Sequence, residues 1–192
     1  MTKVEKANAR FARLSKPKQR ISIAKDVIKH LDSKRIVAQG GTYFAITPAA
    51  NAEPGVELQG ILLADTVPCH ACALGGMFYA SVVKADQCTL PEPLIEGEEI
   101  ELSHTIIRKN LSKYFSDKQM AFIESAFEES EMNYGQTKAS EKAVIQASKF
   151  FSDDKGLAAI RGRGINRYQR QDSYKLRKIM KNVIKNKGTF KF

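Results

Sequence analysis

Residues 69–84 constrain the fold more than any other stretch. Of these sixteen residues only Lys84 carries a full charge, and small or apolar side chains occupy nearly every position around a helical wheel. A helix that is apolar on all sides has to be enclosed, so the rest of the chain must supply its cover. Pro68 suits the first turn of such a helix or the residue just before it. Gly75 and Gly76 interrupt it, at a cost of about 1 kcal/mol each relative to alanine. Glycines in such a place predict another element packed close against the helix backbone.

The covering elements can be read from spacing. Thr2 and Glu5 fit a capping box, and Val4, Ala7, Phe11 and Leu14 follow at helical intervals, with an end expected near Pro17. A second helix is expected over 20–32, with Ile23, Ala24, Val27, Ile28 and Leu31 inward. Residues 35–38 and 42–46 are β-prone, and Gly40-Gly41 between them predicts a hairpin. The stretch 47–55 reads as a loop. The apolar run 56–63 has strand length, but its periodicity does not settle its type. Pro91, Pro93 and Gly97 mark 89–101 as a loop and a lobe boundary.

The second half reads as helices. Ile107, Leu111 and Tyr114 share a face. Ser116 with Gln119 suggests a cap before Met120, Ile123 and Phe127. A turn is expected at 133–137, and Ala143, Val144, Ala147 and Phe151 mark a further helix. Residues 156–170 are rich in Gly and Arg and are expected to be irregular. Leu176, Ile179, Met180, Val183 and Ile184 then define a last amphipathic helix, with Gly188 as its C-cap and Phe190 folding back onto it. The expected fold is α+β and mainly helical. It is a single compact domain of six or seven helices with a small β-hairpin-based sheet and basic termini. A basic N-terminal amphipathic helix or arm would occupy 1–19, the core α+β domain 20–154, and a basic Gly/Arg loop with a C-terminal helix docked on the core 155–192.

Charge is distributed unevenly along the 192 residues. Residues 1–20 hold seven basic side chains and one acid, and 155–192 hold twelve and one; 91–154 hold seven basic side chains against thirteen acids, and the whole chain carries +10. Two basic ends around a neutral-to-acidic body point to a polyanionic partner. The C-terminal end offers Arg161, Arg163, Arg167, Tyr168 and Arg170 around glycines, then Lys175, Lys178, Lys181 and Lys185 on the last helix. Arginines on flexible glycines can grip phosphates bidentately, and a tyrosine can stack on a base. Lys3, Lys6, Arg10 and Arg13 form a second basic stripe on the first helix. The plain alternative is that these are solvated outer faces. No RNA-binding aromatic motif, zinc-finger spacing or helix-turn-helix pattern is present, so contact is expected to be led by the nucleic-acid backbone. The acidic run 96–101 lacks the order of a calcium loop, and Glu124, Glu128, Glu129 and Glu131 are expected to face water.

Pro68-Cys69-His70-Ala71-Cys72 is the most pointed local motif. Cys69, Cys72 and Cys88, with His70 or His104 as fourth ligand, could hold structural zinc. A C-x-x-C at a helix start could also favour a thiolate at Cys69. The alternative reading is that these small thiols simply pack a dense helix. No G-x-S-x-G, H-E-x-x-H, P-loop or G-x-G-x-x-G motif is present, which speaks against the enzyme classes built on them. His30 with Asp32 reads as a surface pair at a helix end.

The segments Cys69-x-x-Cys72-Ala73-Leu74-Gly75 and Lys178 through Phe190 resemble a group of small phage and bacterial proteins without an assigned activity. The helix at Ile21–Ile28 fits the same pattern, and the likeness spans about residues 20–192. It implies a phage or bacterial source and nothing about chemistry. The expected function is a non-enzymatic accessory protein that contacts nucleic acid through its basic ends. A protein–protein module, either a virion or assembly component or a modulator of a host complex, is the second expectation, with an acidic protein or another copy of the chain as partner. A zinc-stabilised or thiol-active protein using Cys69 and Cys72 is the third. The opening residues lack an apolar signal region and no stretch reaches the roughly 20 apolar residues of a membrane span. Location in the cytoplasm of a bacterial cell, or on a virion, is therefore expected.

Overall fold

The structure is a computed structural model and describes residues 2–64, 68–84, 88–90, 92–131, 139–161 and 166–192, without the side chains of Lys3 and Ala64. Among them the chain forms α1 (Lys3–Ala12), α2 (Lys16–Asp32), β1 (Ile36–Ala38), β2 (Phe44–Ile46), α3 (Leu58–Ala64), β3 (Cys69–Ala71), α4 (Ala73–Lys84), β4 (Ile100–Glu101), α5 (His104–Leu111), α6 (Asp117–Glu128), α7 (Glu141–Ser148), α8 (Lys155–Arg161) and α9 (Arg167–Lys185). This is the expected mainly helical α+β fold. No helix among the described residues is long and apolar enough to cross a membrane. The expected turn at 133–137 lies outside them.

The apolar helix sits at the centre, but it begins later than the sequence suggests. Residues 69–71 are a strand, and the helix is α4, whose residues Ala73 through Val82 are all buried. Helices α1, α2, α3, α5 and α6 pack around it. Gly75 has the close neighbour that its composition implied. A Cβ built there would lie 1.6 Å from the carbonyl oxygen of Tyr43.

The sheet corrects the expected hairpin. Its strand order is β1-β3-β2-β4, so Cys69–Ala71 lies between the two strands that flank Gly40-Gly41. β3 runs parallel to β1 and antiparallel to β2, and β4 closes the other edge antiparallel to β2. Gly41 does turn the chain, at φ +79°. Its amide and that of Gly40 bond carboxylates of Glu128 and Asp172, however, and not a facing strand. Ile36, Ala38, Cys69, Ala71 and Phe44 point into the core, where Phe44 meets Phe78 edge to face at 5.4 Å. By strand alternation Val37 and His70 lie on the opposite face of the sheet.

Local signals set several helix ends. Thr2 and Glu5 form the full capping box of α1, and the Ser116 hydroxyl accepts from the Gln119 amide at the start of α6. Pro17 stands in the first turn of α2, which opens four residues before the expected start. The run 56–63 resolves as helix α3 from Leu58 onward. Part of the stretch expected to be irregular is helical, as α8 and the beginning of α9.

Helix α9 is antiparallel to α2. Arg177 pairs with Asp32 at one end (2.8 Å), and at the other Gly188 sits against the backbone of Pro17. Leu176, Ile179, Met180 and Val183 are fully buried. Beyond α9, Lys187 and Gly188 both take positive φ, and the Gly188 amide donates back to the Val183 carbonyl (2.8 Å). That turn brings Phe190 into the core, where its amide and carbonyl both bond the Gln119 side chain.

Candidate nucleic-acid interface

Basic residues are useful to a polyanion only where they are exposed and not already neutralised. That criterion divides the expected set. Lys175 is 7% exposed, and its ammonium donates to the Phe127 carbonyl (2.7 Å) while pairing with Asp172 (3.1 Å). It holds α9 to α6 and is withdrawn from the surface. Arg161 pairs with Glu129. Lys178 pairs with Asp154 (3.2 Å), and this hydrogen bond raises its pKa above the ordinary value. Burial pushes the Asp154 carboxyl up, but the Leu157 amide, the Tyr174 hydroxyl and Lys178 together bring it below its ordinary value. Arg163 and the Lys3 side chain lie outside the described residues.

Other cations remain available. Lys181, Lys185 and Arg170 are exposed on α9, and no ion pair among the described residues involves them. Helix α2 adds a stripe that sequence reasoning missed. Lys18, Lys25 and Lys29 recur at helical spacing, all exposed, opposite the buried Ile23, Ala24 and Val27. Because α2 and α9 lie antiparallel, with the Arg177–Asp32 pair across their seam, the two lysine stripes flank that seam. They form one basic face along helices of 17 and 19 residues, about 25 Å long. The signal was present in the sequence as lysines at 18, 25 and 29, but only the docking of α9 shows that they share a surface. Lys6 and Arg10 of α1 and Arg13 at its C-cap are exposed as well. Tyr168, 67% exposed, is the most open large hydrophobic residue among those described, and the Arg167 guanidinium lies 4.8 Å from its ring centre.

The cysteine expectations do not converge on a centre. Cys69, Cys72 and Cys88 are free and buried. Cys69 points into the core while His70 lies on the other face of the sheet, its Nδ1 2.8 Å from Gln39 Oε1. Cys88 instead accepts from Asn110 Nδ2 at 3.6 Å. No three His, Cys, Asp or Glu side chains among the described residues group as a metal would require. Burial pushes both the Cys69 and the Cys72 thiols up to about 12. For Cys72 burial, with smaller help from Glu128 and Glu124, outweighs the Gly75 and Leu74 amides at the start of α4. Burial thus favours the protonated form of both thiols, which pack in the core.

The acidic residues of α6 also differ from expectation. Glu124 is 3% exposed and is tied to both Arg108 and the Tyr43 hydroxyl. Burial raises its pKa against those partners, and burial likewise raises that of Glu128. With Tyr43 and Cys72 they line a cleft of about 100 Å³. Position 124 falls on the buried side of the Met120, Ile123 and Phe127 stripe, so helical spacing alone could have identified it. His30 is buried too, set against the edge of Tyr79 (4.9 Å), and Asp32 pairs with Arg177 instead of with it. Set against known proteins, the chain matches no family model, no curated protein and no solved structure.

Proposed function

We propose that the protein is a non-enzymatic accessory protein, of a phage or a bacterium, that contacts nucleic acid through backbone electrostatics. One observation carries this reading: the α2–α9 pair brings Lys18, Lys25 and Lys29 beside Lys181 and Lys185 in a single face, and none of these lysines has an ion pair among the described residues. A length of about 25 Å corresponds to roughly seven nucleotide steps of a duplex at 3.4 Å each. Five lysines on such a face would release several counterions on binding. The test is a gel-shift or anisotropy titration across a salt series with a Lys25→Glu/Lys181→Glu/Lys185→Glu variant. Wild type should bind with a steep salt dependence, and the variant should bind at least about tenfold more weakly with a flatter slope. Unchanged binding would reject the face.

A second reading rests on the exposed acidic residues Glu96, Glu98 and Glu99. An acidic patch and a basic face on one chain allow copies, or an acidic partner, to meet through opposite charges. Self-association that dissolves on raising salt, with no nucleic acid retained at low salt, would favour this reading over the first.

A further inference from the structure

We infer that the groove between the first half of α9 and the outer face of the sheet receives unpaired nucleotides, so that the preferred ligand is single-stranded. This rests on the nucleic-acid reading above and goes further by naming the form of the ligand. Two adjoining hollows, of about 680 and 430 Å³, share Val37 and Gln169 and together make one groove. The sheet supplies its floor through Val37 and His70, with Pro68 just before β3. Tyr168 and Arg170 stand on the opposite wall, and Lys34 sits at the rim.

The chemistry suits a base followed by its phosphate. Tyr168 is 67% exposed, and the guanidinium of Arg167 steadies its ring and hydroxyl. A base can stack on such a ring without regard to sequence. Arg170 and Lys34 are exposed and without an ion pair among the described residues, and they place positive charge beside the stacking site. The one acid of the groove among the described residues, Asp172, is already engaged by the Gly40 amide (2.8 Å) and Lys175 (3.1 Å). A duplex keeps its bases stacked inside and would offer this groove only its phosphates. Arg170 and Arg177 of the groove stand on the side of α9 that carries Lys181, so a strand can continue from the groove to that lysine.

The experiment measures fluorescence anisotropy with a 15-nucleotide oligo-dT, the matching oligo-rU and a duplex of the same length. Wild type, Tyr168→Ala, Arg170→Ala and Lys181→Glu/Lys185→Glu proteins are compared. Both single strands should bind about tenfold tighter than the duplex. Tyr168→Ala, at an exposed position, should abolish that preference and leave duplex binding unchanged, with Arg170→Ala weakening single strands several-fold. The lysine variant should weaken all three ligands. A difference between oligo-dT and oligo-rU identifies whether DNA or RNA is preferred. Duplex binding equal to single-strand binding, or a Tyr168→Ala protein that keeps its preference, overturns the groove and leaves the lysine face standing. Polyglutamate competing as well as oligo-dT also overturns it, because charge alone would then explain binding. Absence of binding to any nucleic acid at low salt rejects both readings.

Discussion

Two adjacent glycines in α4 should respond oppositely to the same substitution. At Gly75 an added Cβ would collide with the Tyr43 carbonyl, so Gly75→Ala must move strand β2 and should cost at least about 3 kcal/mol in urea unfolding. At Gly76 the nearest atom is Leu176 Cδ2, at 3.4 Å. Gly76→Ala should therefore keep or improve stability, by up to about 1 kcal/mol, through helix propensity. Glu128 gives a pH signature. Burial raises its carboxyl pKa above 4.5, and the charges of Asp172 and Glu124 add to this against the Gly41 amide and Lys175. The folded state thus holds the proton more tightly than the unfolded chain. The stability from this group is fully present below the unfolded value and is lost as pH rises through the folded one. Glu128→Gln keeps an acceptor for Gly41 without the charge. Its melting temperature should exceed that of wild type at pH 7.5, and the gap should close by about pH 4. A gap that widened on acidification would contradict the sign.

Among the elements, the tail after α9 works as a clasp. Phe190 is 2% exposed, packs edge to face on Phe150 at 5.1 Å and bonds Gln119 through both backbone groups. Phe190→Ala should cost about 3–4 kcal/mol in urea unfolding. Helix α1 is the reverse case: Phe11 is buried, while Val4 and Ala7 are exposed. Its amides should exchange with solvent well before those of α2 and α4, which hydrogen-exchange measurements can resolve. The same contrast explains what could be read beforehand. The stripe of α9, the caps at Thr2 and Ser116 and the crowding at Gly75 are local or periodic signals, and each is legible in the sequence. Gly40-Gly41 is also a local signal, but it says nothing of a strand arriving from 69–71 to lie between its neighbours. Pro17 was legible as a break, though not as the first turn of the next helix. Helix α8 was hidden by Gly156, whose missing side chain leaves room for the Tyr174 hydroxyl, 2.1 Å from a built Cβ. Half of the candidate interface, the lysines of α9, was visible. The α2 half depended on which flank α9 would cover.

At the scale of the whole molecule, the α2–α9 pairing sets like charges side by side in a chain of net charge +10. Several cations elsewhere are internally paired, but the lysines of this face repel one another. Screening should relieve that repulsion, since salt weakens interactions between exposed charges beyond about 10 Å. The melting temperature should thus rise between 50 and 500 mM sodium chloride, by roughly a few degrees. A fall would mean that the surface ion pairs dominate instead. The pairing also sets a time. Arg177 and Asp32 meet across 145 residues, an interval of about 7 to 30 s at ordinary rates of synthesis. Through that interval the α9-facing flank of α2 stays uncovered, although α4 can already pack on Val27, and the lysines of α2 have no counterpart. A nascent chain would need shelter for that apolar flank, and its two lysine stripes would not yet lie side by side. The joint basic face therefore exists only after α9 has been made and docked.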